Sequence, residues 1–384
     1  MTDPAPEVIP PSIDTRPWLK NFDIDQSRTP DRALSVIDWA RSNFSQKKYE
    51  ATGRNLSLHW ESVRKFKAYA AVDLRRPNDH IIGFSELAPK ALHRDAVSLT
   101  KLCAEHFTNI HYDDLFGSPV YDYGQGRHNV LPPGITEQAA ADQMFRLTFA
   151  WLYLHEQAHH FQGHLFIEGA EPRRMIHEQG NSLIINDATS HVASQLTPQQ
   201  AAMSHITELA ADAEATGMAA SLIIVANDGV FSRASLWLLV CGLMCLFQRF
   251  HGGDDDVPGE MPVGSHPLPA FRMRMVLQKL LWFANLPRVR DATPWAVNKD
   301  TIIRLVDHAS TTASVYWSIR SMKTDRQGVP HFYQQIHTQD RIPETHSRVL
   351  FESWSSIRSH VENYYFGWYK DGLPFDPQSA QSIA

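Results

Sequence analysis

The chain has 384 residues, a formal net charge of −6 and three cysteines. An acidic chain without a cluster of Lys and Arg lacks the electrostatic footprint of a nucleic-acid-binding protein, so we expect no nucleic-acid partner. Three cysteines are too few for a disulfide framework, which favours a reducing compartment and a cytoplasmic protein. At 43% hydrophobic residues the chain can bury a substantial core.

The N-terminal segment is rich in proline and acidic residues. It begins MTDPAPEVIPPSIDTRP and lacks the basic start and apolar core of a signal peptide, so we expect residues 1–29 to form a disordered arm. Residues 30–287 are predicted to form the main domain. Residues 288–384 are predicted to form a helical extension packed on it, with helices near Thr301 to Ser321 and Ser347 to Tyr365.

Short extended runs interrupt a mostly helical pattern in the first third of the chain. AAVDL at residues 70–74 and HIIGF at residues 80–84 are typical of strands. A further extended run, RHNVLPP at residues 127–133, ends in two prolines. These three runs are predicted to form a small sheet, one edge of which, at residues 127–131, could pair with an extended peptide. The fold class is therefore predicted to be α+β, mainly helical.

Two helices have clear start signals. Thr136 is predicted to cap a helix whose apolar residues recur from Met144 onward. Thr197 is predicted to cap a second helix, with Pro198 in the first helical position. The apolar run from Ala234 to Phe247 is shorter than the roughly 20 residues that span a bilayer. We therefore expect a buried core helix there and no stable membrane insertion.

The helix that follows Thr136 carries the motif HEQAH. His155 and His159 are four residues apart, so on a helix their imidazoles point the same way, one turn above the other. Two imidazoles at this spacing can grip one metal ion, and Glu156 projects beside it, where a carboxylate can take a proton from water. This is the HExxH arrangement, and it predicts a catalytic zinc site.

Neighbouring histidines serve as controls for this interpretation. His160 and His164 have the same spacing, but residue 161 is Phe, so the pair lacks an adjacent base. On a continuous helix these two residues are rotated away from His155 and His159, by roughly 100° per residue. They are therefore expected to have no part in metal binding. The run HEQGN from His177 is excluded because its last residue is Asn181.

A catalytic zinc needs a third protein ligand and one position open to water. The helix after Thr197 contains ELAAD, in which Glu208 and Asp212 lie on one face. Glu208 can reach the metal, while Asp212 can accept the free ring N–H of a ligand histidine. The alternative is two solvated acids on an amphipathic helix. The small and apolar residues around them favour close packing against another helix, where isolated charges need partners.

HExxH followed about fifty residues later by ExxxD resembles the gluzincin metallopeptidases. The resemblance spans Thr136 to Phe283 and is closest to the peptidases related to HtpX and the CAAX prenyl endopeptidases, in which a Ser/Thr-His-Pro sequence with a nearby Arg follows. This chain has SHPLPAFR at residues 265–272. The resemblance implies a zincin-like core with one zinc ion per chain, held between two helices by His155, His159 and Glu208. It also implies Glu156 as general base, His266 as donor to the reaction intermediate, and Arg272 as a supporting residue.

The function expected from this resemblance is zinc-dependent cleavage of a peptide or protein substrate. The chain lacks the long membrane helices of many of those relatives, which favours a soluble form. Phage-exclusion peptidases of the Lit type also use HExxH, so a bacterial defence or toxin-like protease is an alternative by analogy. A non-catalytic protein with a structural zinc, or a helical interaction domain, is a second alternative. A membrane-associated peptidase is a third, and it would require Ala234 to Phe247 to insert into a bilayer.

Overall fold

A computed structural model of the chain is mainly helical with a small mixed sheet, which confirms the α+β class. The structure describes residues 27–105, 131–132, 134–167, 173–177, 180–186, 196–251, 259–293, 295, 299–321, 332–333, 335–336 and 343–367. The predicted N-terminal arm therefore lies almost wholly outside the described residues, as does most of the acidic segment at residues 252–264.

The helices and their bounds account for most of the described residues. They are Thr29–Phe44 (α1), Gln46–Thr52 (α2), Leu87–Glu105 (α3), Glu137–Phe161 (α4), Pro198–Ala226 (α5), Arg233–Phe250 (α6), Pro269–Ala284 (α7), Pro287–Asp291 (α8), Lys299–Ser321 (α9) and Glu344–Tyr364 (α10). A short 3₁₀ turn, His164–Phe166, follows α4.

Five strands form one sheet in the order β1-β3-β2-β5-β4. They are Asn55–Glu61 (β1), Ala68–Asp73 (β2), Arg76–Ser85 (β3), Arg173–His177 (β4) and Gly180–Asn186 (β5). The β1 and β3 strands pair in parallel and the other neighbours pair antiparallel. β2 and β3 confirm two predicted strands, whereas β1, β4 and β5 were not predicted. Of the predicted strand at residues 127–133, only 131–132 are described, and they are not in a strand.

Both predicted helix starts are confirmed. Thr136 is extended and accepts a hydrogen bond from the backbone of Ala139, at the start of α4. Thr197 and Gln200 form a capping box at the start of α5, with Pro198 in the first turn. These caps satisfy backbone N–H groups that the helices leave unpaired, and so fix where the two site-bearing helices begin.

The core is built around α4. Every residue of this helix from Leu147 to Phe161 is buried. α4 packs against α3, α5, α6 and the sheet, and a helix covered on all sides can be apolar all round. α6 confirms the expected core helix, since its residues from Ser235 to Gln248 are buried. The polar residues of α4 are therefore held in a rigid interior.

Two of the described helices, α5 and α6, are long enough and apolar enough to cross a membrane. In each of them 78% of the apolar window is buried inside the protein. The buried core helix of a soluble protein has the same length and composition, so these two helices are weak evidence for membrane insertion. The absence of membrane insertion stays a prediction.

The C-terminal helices pack against the core. α9 contacts α6, where Trp237 Nε1 donates to His308 Nδ1 at 2.9 Å. The Tyr316 hydroxyl of α9 donates to Asp95 of α3 at 3.0 Å. α10 lies along α5. α9 and α10 confirm the two helices predicted in the C-terminal part of the chain. The domain boundary predicted at residue 287 stays a prediction.

Candidate metal centre

Three potential metal ligands from two helices meet in the interior. In the part of the chain that the structure describes, His155 and His159 of α4 and Glu208 of α5 form a group whose donor atoms lie within 4.8 Å of one another. The two Nε2 atoms are 3.1 Å apart. Glu208 places Oε2 at 3.4 Å from His155 Nε2 and Oε1 at 3.4 Å from His159 Nε2. The two histidines and the glutamate thus point at one position between the helices.

The separation of the two imidazole nitrogens fits a tetrahedral zinc ion. Zinc binds imidazole nitrogen and carboxylate oxygen at about 2.0–2.1 Å, so two ligand atoms on a tetrahedron lie roughly 3.3 Å apart. The two Nε2 atoms, 3.1 Å apart, agree with that value. Each oxygen of Glu208 lies 3.4 Å from a different Nε2, and one ligand atom from each residue lies within 4.8 Å of the others. Two imidazoles and one carboxylate are also a donor set that zinc uses in catalytic sites, with a fourth position left for water. The residues present therefore fit the ion.

The ring of His155 is fixed from its other side. Its Nδ1 lies 2.9 Å from Asp212 Oδ1, and its ring stacks on the indole of Trp151. Burial alone would raise the pKa of Asp212, but the charge and hydrogen bonds of Arg272, together with His155, lower it. Asp212 is thus an anion that can accept the Nδ1–H of His155, so that Nε2 is the nitrogen that faces the other two potential ligands. The predicted pair of Glu208 and Asp212 lies one turn apart on the same face of α5.

His159 has a different partner on its outer side. Its Nδ1 lies 2.9 Å from Nδ1 of His164, and both rings are buried. The prediction that His164 lies apart from the ligand pair is therefore wrong. It assumed a continuous helix, whereas α4 ends at Phe161 and the chain turns back through Gly163, which has a left-handed φ of 65°. Burial, followed by the charges of His155 and His360, lowers the pKa of His164 to about 3.

His160, the other control residue, lies outside the cluster and has a structural role. Its Nε2 donates to the backbone oxygen of Ile81 at 3.0 Å, and its ring stacks on His80 at 4.2 Å between centroids. Burial lowers the pKa of His160 to about 4. The excluded run from His177 includes residues outside the described part of the chain.

The predicted general base, Glu156, is buried in the same helix as the two potential ligand histidines. Glu156 is 0% exposed and follows His155 directly on α4. Tyr69 of β2 has a raised pKa because of its burial, its hydrogen bond to Glu61 and the negative charges of Glu61 and Glu156. Glu156 is therefore within electrostatic reach of Tyr69 in the sheet.

The predicted donor His266 lies at the more open side of the site. Its side chain is 15% exposed, against 2% for Glu208, and its Nε2 is 3.9 Å from Glu208 Oε1. It lies three residues before Pro269, the first residue of α7. Ser265 Oγ lies 2.9 Å from His266 Nδ1, and the Ser265 carbonyl accepts from Ser204 Oγ of α5 at 2.7 Å. The segment that carries His266 is thus anchored to the helix that carries Glu208.

A cleft of about 720 Å³ opens between α5 and α10. Phe166 and Ile167, which follow His164, form part of its wall, and His360 and Tyr364 of α10 form another part. The metal-ligand side chains do not line this cleft.

The chain matches no protein-family model, no curated protein and no solved structure. The geometry of the site is therefore the main evidence on function. That geometry brings together six of the predicted residues, which are His155, His159, Glu208, Asp212, His266 and Arg272. Sequence reasoning missed His164 as a partner of His159, although the glycine at residue 163 signals a possible helix end.

Proposed function

We propose that the protein is a zinc-dependent endopeptidase. The observation that carries this proposal is the convergence of His155, His159 and Glu208, whose donor atoms lie within 4.8 Å of one another, with Glu156 next to the first of them on the same helix. Three protein donors leave a position for water, which is the arrangement of catalytic zinc sites. The resemblance of the HExxH and ExxxD motifs to gluzincin metallopeptidases supports the same reaction class.

Zinc bound by these three residues would supply Lewis-acid chemistry, because it lowers the pKa of water and polarises a carbonyl oxygen. Glu156 takes a proton from the attacking water, whose oxygen forms a bond to the carbonyl carbon of the peptide. Glu156 then gives that proton to the leaving nitrogen as the C–N bond breaks. When the water oxygen bonds to the carbonyl carbon, the carbonyl oxygen of the substrate becomes negatively charged. His266 donates a hydrogen bond to that oxygen.

The buried state of the site favours a second candidate, a structural zinc in a non-catalytic protein. His155 and His159 are 0% exposed and Glu208 is 2% exposed. A closed site with four protein ligands is typical of structural zinc. Among the described residues, however, the group of mutually close donors has three members, and His266 is not one of them. The three-ligand set is the reason for preferring the catalytic proposal.

The first experiment is elemental analysis of purified wild type and His159→Ala in parallel. The proposal expects about one zinc per chain in wild type and loss of the metal from the variant. No metal in either protein, after purification without chelator and addition of zinc, would reject the zinc site.

Glu156→Gln distinguishes the catalytic proposal from the structural one. Because Glu156 is a base and not a ligand in this proposal, the variant should keep its zinc and lose cleavage of a peptide library. If wild-type protein binds zinc but cleaves nothing, the structural candidate is favoured. If Glu156→Gln cleaves as well as wild type, the mechanism is wrong.

A further inference from the structure

After α4 ends, the chain reverses direction at Gly163 and packs back against the last turn of that helix. Gly163 adopts φ 65°, and a Cβ on it would lie 2.5 Å from Cβ of Tyr364. His360 of α10 also contacts this turn, with Nε2 at 3.2 Å from the backbone oxygen of Gly163. A left-handed glycine pressed against α10 thus fixes the direction in which the chain continues. That direction carries His164 back to His159.

His164 and His159 form a close pair of buried imidazoles. Their Nδ1 atoms are 2.9 Å apart, and the ring planes are inclined at 69°. His164 is 1% exposed. Within the described part of the chain, His159 is the one hydrogen-bond partner of the His164 ring. Two nitrogens at this distance share one proton, so one ring donates and the other accepts.

The surroundings of His159 decide which ring donates. Its Nε2 faces the other ligands, at 3.1 Å from His155 Nε2 and 3.4 Å from Glu208 Oε1. A neutral imidazole that offers Nε2 to a metal carries its proton on Nδ1. The Nδ1–H of His159 then points at Nδ1 of His164, which accepts as an unprotonated nitrogen.

We propose that His164 is a positioning residue for the metal site, which accepts the Nδ1–H of His159 and holds that ring with Nε2 toward the ion. This inference rests on the proposed zinc site and adds a residue to it. His164 would do for His159 what Asp212 does for His155, at 2.9 Å in both cases. A neutral acceptor does this without adding a further buried negative charge beside Glu208.

The test compares zinc affinity across matched variants, by competition with a chromophoric chelator. His164→Leu removes the acceptor and should weaken zinc binding by about 10–100-fold, the usual effect of losing a partner of a ligand histidine. His164→Asn places an amide oxygen near the position of Nδ1 and should restore most of the affinity. His160→Leu removes a neighbouring buried histidine that contacts Ile81 instead, and should leave zinc affinity unchanged.

A second readout does not depend on how well the variants fold. In zinc-loaded wild type, ¹⁵N chemical shifts of labelled histidines should show the proton of His159 on Nδ1 and that of His164 on Nε2. A proton on Nδ1 of His164 would overturn the inference, because His164 would then donate to His159.

The outcomes separate this inference from the proposed function. Wild type that binds one zinc, together with unchanged affinity in His164→Leu, overturns the positioning role and leaves the metal site intact. Failure of wild type to bind zinc overturns both. Equal losses of zinc affinity in His164→Leu and His164→Asn would also overturn the positioning role, because the loss would then not depend on a hydrogen-bond acceptor at residue 164.

Discussion

Arg272 donates to both carboxylate oxygens of Asp212, from Nε at 2.9 Å and from Nη2 at 2.8 Å. The same Nη2 lies 3.3 Å from Oε2 of Glu208. Because Asp212 also contacts His155, this one guanidinium joins α7 to the carboxylates of α5 and, through them, to a histidine of α4. All four side chains are buried, so the metal position is framed by charges that are paired and not solvated.

The first prediction is that Arg272 cannot be replaced by lysine. A single ammonium cannot reproduce two parallel N–H donors, so Arg272→Lys should lower both zinc affinity and stability. Arg272→Leu leaves Asp212 buried without its cation and should cost about 3–5 kcal/mol in the free energy of unfolding. Urea denaturation of the metal-free protein and zinc competition measure the two effects.

Arg274 provides the control for this prediction. It lies two residues further along α7 and is only partly buried. Arg274→Lys should change neither quantity. Wild-type zinc affinity in Arg272→Lys would show that the fork geometry of Arg272 is not needed by the site.

The sequence predicted the helices that carry the site better than it predicted the sheet. Start signals at Thr136 and Thr197 are local, because a capping side chain bonds the backbone of its own helix. The β1 strand was missed, although Asn55–Glu61 alternates in burial, because it pairs with the distant β3. Sheet order and parallel pairing depend on such long-range contacts, which periodicity does not reveal.

The candidate site shows the same division. The i and i+4 spacing predicted that His155 and His159 share a face, and their Nε2 atoms lie 3.1 Å apart. The contact between His159 and His164 could not be obtained from spacing, because it depends on where α4 ends. The turn that follows that end depends on Gly163 and its contact with Tyr364, 201 residues later in the chain.

A second prediction uses two buried glutamates of α5. Glu208 lies in the metal cluster, whereas Glu214 accepts from Gln162 at 2.7 Å and from the Tyr365 hydroxyl at 2.9 Å. Glu208→Gln should strongly weaken zinc binding, because it removes the anionic ligand. Glu214→Gln should lower stability by a few kcal/mol at most and leave zinc affinity unchanged. Calorimetric zinc titration and urea denaturation of both variants measure this contrast, and equal zinc losses would mean that the ligand set is misassigned.

A third prediction concerns the packing of α6 against α4, the helix that carries His155 and His159. Gly242 of α6 approaches α4 so closely that a Cβ on it would lie 1.7 Å from Oγ1 of Thr148. Gly242→Ala should therefore destabilise the protein by about 1–3 kcal/mol through overpacking. Thr148→Ala removes the clashing hydroxyl and methyl, so the double variant should be more stable than the sum of the single effects predicts. Strict additivity in a thermal or urea denaturation cycle would show that this close approach does not limit the packing of α4.

The fourth prediction is a loss of stability in mild acid that depends on His80. This ring is 4% exposed, stacks on His160 and lies 2.9 Å from the Tyr49 hydroxyl through Nδ1. Burial, followed by the charges of His160 and Arg54, lowers its pKa from 6.5 to about 2. Below pH 6.5 the unfolded chain therefore binds a proton that the folded protein excludes, and stability falls as the pH falls.

The size of that loss is about 1.4 kcal/mol per pH unit for one histidine, starting near pH 6.5. His80→Asn keeps an acceptor near Nδ1 for Tyr49 but does not titrate, so its unfolding free energy should fall less steeply between pH 6 and pH 4.5. Between pH 7 and pH 8 both His80 states are neutral, and the two proteins should differ there only by a constant offset from the lost ring packing. Urea denaturation of the metal-free proteins at each pH tests this, and parallel curves down to pH 4.5 would mean that His80 can be protonated in the folded protein without penalty.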